Sequence, residues 1–485
     1  MIARMVMRGA AALAMLALAS ACATVSSTPD APSVAPNARA QAAQQHPQIV
    51  AQFGGAVEGP LAAYVSQIGE RTAVAAGVPG QCTFTVINTD VVNAFAVPGC
   101  YIYLTRGILA IMNSEDELAS VLGHEIGHVV ADHSAQRQNA ATLSTLGAIL
   151  VGVATGSGEL AQMAGQAGQL ITLNYSRDQE FQSDDLGVRY LAANGYNAYA
   201  AADMLASLGL QDELNARVSN RQAASAIPAW ARTHPLSADR VARANAQAGA
   251  AGAVRGQPPE QEDAYLSAIN GMIYGDDPEQ GFVNGRTFAH PVMRIAFEAP
   301  EGFTLTNTTQ AVLVQGQNGQ AQFSGGAALG QTTLEAYATN GLRQVLGQAR
   351  AQAGQVQRTT VNGLETVIAP ARAQSQNGQI IDVAVTAYRV GDRAYHFITM
   401  APQGGGAAMN PMLRSMRQIS ASEAAALRPR QVEVVTVRSA DTAQRLAQRM
   451  AFDTYQLDRF LALNGLSANA TLRAGDQVKI VTYAR

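Results

Sequence analysis

The sequence predicts a multidomain chain with a mainly α-helical domain that carries a small β-sheet, then an α+β domain, then a small βααβ domain. Three observations favour this organisation. A chain of 485 residues is too long for one compact core, so roughly two to four domains are expected. The composition shifts after Ala250 into a stretch of Gly, Pro and charged residues that is typical of a linker. Beyond that stretch, alternating strand patterns replace helical periodicity.

The composition excludes two broad classes of protein. The chain is 48% hydrophobic and 14% charged, with a formal net charge of −3. A bulk nucleic-acid binder would carry a strong basic excess, and an acidic disordered tail would carry long runs of carboxylates. We therefore expect a folded protein without a nucleic-acid partner.

Residues 1–22 have the layout of an export signal. Arg4 and Arg8 precede an apolar run that is too short to remain as a membrane span, and small residues then lead to Cys22. The sequence ASAC resembles a bacterial lipobox, which predicts a periplasmic lipoprotein held at the outer membrane only by lipid on Cys22. Cleavage by the ordinary signal peptidase is the alternative. Residues 23–45, rich in Ala, Pro, Ser and Gln, predict a flexible tether.

Two further cysteines each precede a strand pattern. Cys82 is followed by TFTVINT and Cys100 by YIYLTRG. Two strands joined through a turn can place such residues opposite each other, and an oxidising compartment permits a disulfide between them. Two free buried thiols are the alternative.

The stretch VLGHEIGHVV belongs to a predicted metal-binding helix. Ser114 as N-cap, acidic residues in the first turn and apolar periodicity predict that helix. His124 and His128 lie four residues apart on it, one turn along the axis, so both imidazoles can reach one metal ion. Glu125 can reach water on the metal without binding the metal itself. A chance match on an ordinary helix is the alternative.

A catalytic zinc needs a third protein ligand and one position left for water. His133 is disfavoured, because five residues after His128 is about 500° around a helix and points away from the metal face. A bend with a glycine, as in the alternative three-histidine motif, is absent there. The stretch NYSRDQEFQSDDLG predicts a second helix with Glu180 and Asp184 on one face. We expect Glu180 to bind the metal and Asp184 to accept a hydrogen bond from a ligating imidazole, a solvated acidic face being the alternative.

Four blocks occur in the order seen in the M48 family of zinc metallopeptidases, which the chain resembles over roughly residues 47–244. They are NAFAVPGCYIYLTRGIL, ELASVLGHEIGHVVADH, SRDQEFQSDDLG and THPLSADR. The resemblance implies a zincin-type peptidase domain over residues 46–250 with one Zn²⁺ per chain. It implies Glu125 as general base and Asp184 beside the site. The implied zinc ligands are His124, His128 and Glu180.

The same resemblance implies further groups near the metal. It places His234 in a loop where the imidazole is either an inhibitory fourth ligand or a stabiliser of the oxyanion, a structural loop histidine being the alternative. Arg240 either pairs with Asp184 or caps the domain. The resemblance also implies a cleft edge where a peptide adds as an extra strand. That edge is formed by Asn93, Ala94 and Phe95. Residues 139–173 predict a helical hairpin that covers the cleft.

The C-terminal half divides into three predicted parts. Residues 251–262 form a linker, and residues 263–427 form an α+β domain that weakly resembles the PsbP/Mog1-like fold and has no catalytic constellation. Its helices are predicted near residues 333–351 and 410–419. Residues 432–485 resemble a divergent LysM module, which implies binding to the glycan of peptidoglycan. A small domain that keeps only the LysM shape is the alternative.

Together these features predict an exported zinc endopeptidase of the bacterial cell envelope. It resembles the periplasmic proteases that act in protein quality control, so unfolded or misassembled envelope proteins are the expected substrates. The alternative is an envelope binding or chaperone protein with a latent zinc site, held at peptidoglycan by the LysM-like module. A cell-wall hydrolase is disfavoured, because the matched motifs are those of enzymes that cut proteins.

Overall fold

The computed structural model describes residues 32–133, 175–218, 230, 234–236, 238–255, 262–374 and 378–484. The predicted export signal with Cys22, the predicted hairpin at 139–173 and residues 256–261 of the predicted linker lie outside the described residues. Among the helices that the model describes, none is both long enough and apolar enough to cross a membrane.

The N-terminal domain is mainly helical and contains one small sheet. Its described helices are α1 (Pro36–Gln52), α2 (Pro60–Ala75), α3 (Arg106–Ile111), α4 (Glu115–Val130), α5 (Arg177–Ala193), α6 (Ala200–Val218) and α7 (Ala238–Ala250). Its strands are β1 (Thr83–Ile87), β2 (Ala94–Val97) and β3 (Tyr101–Thr105). They lie in the order β1-β3-β2, with β1 parallel and β2 antiparallel to β3. This leaves β2 at one edge of the sheet.

A disulfide joins Cys82 and Cys100. The two residues directly precede β1 and β3, which run side by side with Thr83 opposite Tyr101. The cysteines are therefore neighbours on adjacent parallel strands rather than on two strands joined by a tight turn, as the sequence had suggested. The structure agrees with the disulfide and not with two free thiols.

Helix α1 begins inside the segment that the sequence predicts to be a tether. Pro36 occupies its first turn, where a missing N–H costs nothing. Ala42 and Ile49 are buried, and His46 Nδ1 lies 2.9 Å from the Tyr103 hydroxyl of β3. The tether prediction is therefore wrong for residues 36–45. Ala and Gln are good helix formers as well as common linker residues, so composition alone did not separate the two states.

Helices α4 and α5 approach each other closely because glycines face the contact. A Cβ on Gly123 would lie 3.3 Å from Gly187 Cα, and a Cβ on Gly127 would lie 3.3 Å from Ser183 Cα. Both helices start at a serine cap, since the Ser114 side chain accepts from Glu117 N and the Ser176 side chain accepts from Gln179 N. The glycines let two backbones meet without side chains between them, and this contact sets the spacing of the residues that the helices carry.

The α+β domain is built on an eight-stranded antiparallel sheet. Its strands follow the order β11-β13-β14-β15-β10-β9-β8, and β12 also pairs with β13. Their bounds are β8 (Thr304–Asn307), β9 (Val312–Gly316), β10 (Gly319–Ala328), β11 (Ala351–Ala353), β12 (Gln357–Val361), β13 (Leu364–Gln374), β14 (Ile380–Val390) and β15 (Arg393–Pro402).

Further elements cover the two faces of that sheet. Helix α9 (Leu334–Leu346) packs its buried Leu334, Ala338 and Leu342 on one face. The other face packs through phenylalanines against a four-stranded sheet of order β16-β7-β6-β5. Its elements and the neighbouring short helices are β5 (Phe282–Asn284), β6 (Thr287–His290), β7 (Ile295–Glu298), α10 (Asn410–Ser415), β16 (Arg417–Gln418) and α11 (Ala421–Ala426). The predicted helices at 333–351 and 410–419 are present, although both end earlier than expected.

The C-terminal module, residues 430–483, has the expected strand–helix–helix–strand order. It comprises β17 (Arg430–Thr436), α12 (Ala443–Ala447), α13 (Gln456–Leu463) and β18 (Gln477–Tyr483), and its two strands pair antiparallel.

A third strand, β4 (Ile273–Tyr274), pairs with β17 and completes the sheet of the module. Helix α8 (Glu262–Ile269) precedes β4 and buries Tyr265, Leu266 and Ile269 in the core of the N-terminal domain. The predicted domain start at residue 263 is therefore wrong. Residues 262–274 pack with the N-terminal domain and the module, because their apolar side chains match those surfaces and not the α+β sheet.

Candidate metal centre

Four buried side chains converge between α4, α5 and the segment before α7. The group consists of His124, His128, Glu180 and His234, and one ligand atom from each lies within 4.8 Å of all the others. His124 Nε2 is 3.0 Å from His128 Nε2 and 3.2 Å from His234 Nδ1. Glu180 Oε1 is 3.4 Å from His128 Nε2 and 3.0 Å from His234 Nδ1. Three imidazole nitrogens and one carboxylate oxygen form a donor set that suits zinc.

The spacing of these donor atoms fits a tetrahedral ion. Ligand atoms about 2.0–2.1 Å from zinc at tetrahedral angles stand about 3.3–3.4 Å apart. The distances given above run from 3.0 to 3.4 Å, and His124 Nε2 lies 3.6 Å from the second carboxylate oxygen, Glu180 Oε2. Glu180 Oε2 is buried and makes no hydrogen bond with a described residue, although Arg240 Nη1 lies 2.8 Å away.

The electrostatic environment prepares most of the group to bind a cation. Burial raises the pKa of Glu180, but His234, His128 and His124 outweigh burial and hold this pKa well below its usual range, so the carboxylate is ionised. Burial lowers the pKa of His128 well below its usual value, so that imidazole is neutral. Burial also lowers the pKa of His124, but the hydrogen bond to Asp184 and the charge of Glu180 reverse the direction, and the net pKa is raised.

Asp184 and Arg240 orient His124. Asp184 Oδ1 accepts from His124 Nδ1 at 2.9 Å, which leaves Nε2 directed at the group. Arg240 Nε and Nη2 each donate to the Asp184 carboxylate at 2.7 Å, and the guanidinium is 1% exposed. Carboxylates in this position commonly fix the tautomer of a ligating histidine. Of the two roles that the sequence left open for Arg240, the structure shows the pairing with Asp184.

His133 lies outside the four-residue group but contacts it from behind. Helix α4 ends at Val130, and Asp132 adopts a φ of 53°, so the chain turns back. His133 Nδ1 then lies 2.9 Å from His128 Nδ1. The expectation that His133 points well away from the metal face is wrong, because it assumed that the helix continues to residue 133. As expected, His133 offers no atom to the cluster of ligand atoms.

Sequence reasoning missed two aromatic side chains that pack on the imidazoles. The Tyr175 ring stacks on His128, with centroids 3.5 Å apart, and the Trp230 ring stacks on His234, with centroids 5.1 Å apart. Only the positions of these two residues in the sequence could have indicated that they lie near the imidazoles. Tyr175 directly precedes the cap of α5, and Trp230 is the single tryptophan of the sequence, four residues before His234.

Glu125 lies beside the group without being part of it. Its side chain is 1% exposed, and Oε1 is 3.5 Å from His234 Nε2. Its other oxygen, Oε2, is buried without a hydrogen-bond partner among the described residues. A buried carboxylate oxygen next to four ligand-type atoms is placed to accept a proton from a small polar molecule held there.

The predicted cleft edge lies on β2, and α4 packs against that strand. Asn93, Ala94 and Phe95 are all buried, and the Phe95 ring stacks on Tyr103. Among the described residues, β2 pairs only with β3, so its second edge carries no strand. This edge of the backbone has the hydrogen-bonding groups that an added strand requires.

Comparisons with known proteins point to one family for this domain. Residues 61–248 match the model of Peptidase family M48. The chain is 34% identical over 188 residues to a putative beta-barrel assembly-enhancing protease of Vibrio cholerae, covering 37% of each chain. It is 31% identical over 198 residues to the beta-barrel assembly-enhancing protease of Escherichia coli, covering 39% of each chain. It is 31% identical over 185 residues to a mitochondrial metalloendopeptidase of Schizosaccharomyces pombe, covering 38% of this chain and 51% of that one.

The chain thus spans about two fifths to one half of the length of these curated relatives. Among solved structures, cyanobacterial PsbP from Synechocystis aligns with a TM-score of 0.24 at 11% identity, over 30% of this chain and 98% of that one. The family match covers all four residues of the buried group, together with Glu125, Asp184 and Arg240. Residues 61–248 of this chain are therefore similar to the peptidase domain of family M48.

Proposed function

We propose that the chain is a zinc-dependent endopeptidase of the bacterial cell envelope. One observation carries the proposal: His124 and His128 from α4 converge with Glu180 from α5 and with His234, and the Glu125 carboxylate lies 3.5 Å from His234 Nε2. The match to Peptidase family M48 and the names of the relatives support the same activity.

The residues divide the catalytic work as follows. His124, His128 and Glu180 would hold the zinc, and Asp184 with Arg240 would hold His124 in the correct orientation. When bound, zinc supplies Lewis acidity, which lowers the pKa of water and polarises a carbonyl. Glu125 takes the proton of the attacking water and later delivers it to the leaving amine.

His234 fits best as an inhibitory fourth ligand. Its Nδ1 lies 3.2 Å from His124 Nε2 and 3.0 Å from Glu180 Oε1, so the imidazole would take the position that water needs if it bound the zinc together with the other three side chains. We propose on this ground that the site is latent while His234 is in this place, and that activity requires His234 to move. Stabilisation of the oxyanion by the same imidazole, once it has moved, is the second role that we keep.

The open edge of β2 supports a preference for extended substrate segments. A peptide that adds as a strand must be unfolded locally, because its own backbone groups must be free. Unfolded or misassembled envelope proteins meet this condition, and two of the relatives are named for beta-barrel assembly. We propose a role in protein quality control on these grounds.

We also propose an exported, lipid-anchored location at Cys22 on the periplasmic side of the outer membrane. The disulfide between Cys82 and Cys100 is typical of an oxidising compartment. The βααβ order of the C-terminal module and its sequence blocks support a LysM-like fold, and peptidoglycan glycan is its proposed ligand.

The Glu125→Gln variant tests the activity. Gln keeps the shape of the side chain but is not a general base, so we expect casein hydrolysis to fall by about 10²-fold or more. Zinc content should stay near one per chain, because Glu125 is not a ligand. The exposed Glu58→Gln variant is the matched control and should retain wild-type activity. The measurement is release of fluorescent fragments from labelled casein by the purified mature chain, with and without chelator.

The same experiment separates the second candidate, an envelope binding protein with a latent zinc site. The closed four-residue group favours this candidate, since water has no position on a metal held by all four side chains. Measurable hydrolysis that is equal in wild type and Glu125→Gln would contradict the peptidase proposal. Zinc-dependent suppression of aggregation, without hydrolysis even in a His234→Ala variant, would favour the binding protein.

A further inference from the structure

The single lysine of the sequence, Lys479, is buried between the C-terminal module and the N-terminal domain. It lies in β18 and is 0% exposed. Its Nζ donates to Ala110 O at 2.7 Å and to Met112 O at 2.5 Å. These carbonyls lie at the end of α3 and in the connection to α4. The last carbonyl groups of a helix have no hydrogen-bond donor within the helix itself. Lys479 therefore caps α3 from a position 369 residues further along the chain.

Two more contacts fix α3 to the segment after residue 262. Arg106, the first residue of α3, donates through Nη1 to Ile273 O at 2.7 Å. The Tyr265 hydroxyl donates to Leu109 O at 2.5 Å. Together with Lys479, these bonds hold the start, the middle and the end of a helix of six residues. Such a short helix has little stability of its own, so its position depends on these contacts.

Glu117 completes the arrangement on the α4 side. It is buried in the first turn of α4, and its Oε2 accepts from Asn113 N at 2.8 Å. Burial raises the pKa of Glu117 to about 7, and the charge of Lys479 opposes this rise. Burial lowers the pKa of Lys479 to about 7, and the charge of Glu117 opposes this fall. The charge of each group thus partly offsets the effect of burial on the other.

The C-terminal module packs closely against α6 and against the connection between α3 and α4. A Cβ on Gly465 would lie 3.0 Å from Ser207 Oγ of α6 and 3.2 Å from Asn113 Nδ2. Asp458 of α13 pairs with Arg217 of α6 at 2.5 Å. The end of α13 therefore faces the N-terminal domain and not solvent.

We propose that the C-terminal module is a fixed brace for the metal-binding helix, with Lys479 as a positioning residue. Helix α4 carries His124, Glu125 and His128. Glu117 precedes His124 by seven positions, which is about two turns, or roughly 10.5 Å along one side of the helix. Glycine contacts with α5 hold the middle of α4, whereas its start is held by the connection that Lys479 binds. A displacement of about 1 Å at a reacting group can cost about 10²-fold in rate. The catalytic part of this inference depends on the proposed peptidase activity, and the zinc part does not.

The test compares Lys479→Met with Arg438→Met in the full mature chain. Met keeps much of the side-chain volume but cannot donate to Ala110 O and Met112 O. Arg438 is an exposed cation of the same module and is the matched control. For Lys479→Met we expect about tenfold weaker zinc affinity by chelator competition, and kcat on labelled casein about tenfold lower with KM unchanged. Zinc affinity and kcat within twofold of Arg438→Met would overturn the proposal.

If Lys479→Met does not fold, hydrogen exchange on the wild-type chain tests the same proposal. We expect amides of residues 107–118 and of β17 and β18 to open together as one cooperative unit. Opening of the two module strands while residues 107–118 stay protected would overturn the brace. A wild-type chain that cleaves nothing, but whose zinc affinity depends on Lys479, would refute the proposed activity and leave the brace standing.

Discussion

At the scale of single residues, the candidate site depends on which proton each group holds. Glu180 is ionised and His128 is neutral, so neither must lose a proton before a metal binds. His124 differs, because its pKa is raised once the Asp184 hydrogen bond and the Glu180 charge have overcome the effect of burial. Zinc must displace a proton from His124 alone among these three.

This difference predicts the pH dependence of zinc binding. Below the raised pKa of His124 the imidazole is protonated in the metal-free chain, so zinc affinity should fall by about tenfold for each pH unit of acidification. Above that pKa the affinity should level off. Chelator competition on the metal-free chain between about pH 5.5 and 8.5 measures this. A slope of two protons or none would contradict the assignment.

Asp184 gives a second prediction at this scale. Asp184→Asn keeps a hydrogen-bond acceptor for His124 but removes the charge that pairs with Arg240. Changes of this kind behind a ligating histidine typically cost about 10–100-fold in metal affinity, and we expect a loss in that range. Exposed Asp453→Asn is the control for loss of an aspartate. Unchanged zinc affinity in Asp184→Asn would show that His124 does not need this partner.

At the scale of elements, the glycines between α4 and α5 determine how far apart the ligands stand. Alanine normally stabilises a helix by up to about 1 kcal/mol relative to glycine. At Gly127 the added Cβ would meet backbone atoms of Ser183 at 3.3 Å, so the two helices must separate. At Gly209 in α6 the nearest atom is Leu236 Cδ2 at 3.5 Å, an ordinary contact.

We therefore expect opposite results for Gly127→Ala and Gly209→Ala. Gly209→Ala should raise the free energy of unfolding, by up to about 1 kcal/mol, and leave zinc affinity unchanged. Gly127→Ala should lower zinc affinity, because Glu180 moves away from His124 and His128. Denaturant unfolding and chelator competition measure the two effects. Equal behaviour of both variants would mean that the α4–α5 contact tolerates a methyl group.

The sequence predicted these two helices well and their surroundings less well. The Ser114 cap, the acidic first turn and the apolar spacing predicted α4 with His124 and His128, and the spacing of Glu180 and Asp184 predicted α5. The place of His234 near this group was implied only by the resemblance to the M48 family. The contact of His133 was missed because nothing local marks the end of α4 at Val130. The burial of α1 was missed because Ala and Gln suit both helices and linkers.

At the scale of the whole molecule, the unit that contains the metal centre is discontinuous in sequence. The predicted boundaries followed composition, and composition could not show that β4 pairs with β17 or that Tyr265 enters the N-terminal core. The Lys479 contacts with Ala110 and Met112 are of the same kind. Such contacts form between segments that are far apart in the sequence. They produce no hydrophobic periodicity within either segment, so the sequence of each segment does not predict them.

The burial of Lys479 also determines how the folded protein reacts with reagents that modify amines. The only ε-amino group in 485 residues is sealed at an internal junction, so the folded chain exposes no side-chain amine. Acylating reagents and amine crosslinkers can then react only with the terminal amino group, unless the C-terminal module separates from the N-terminal domain and exposes Lys479. Covalent labelling at position 479 would be a direct record of that separation.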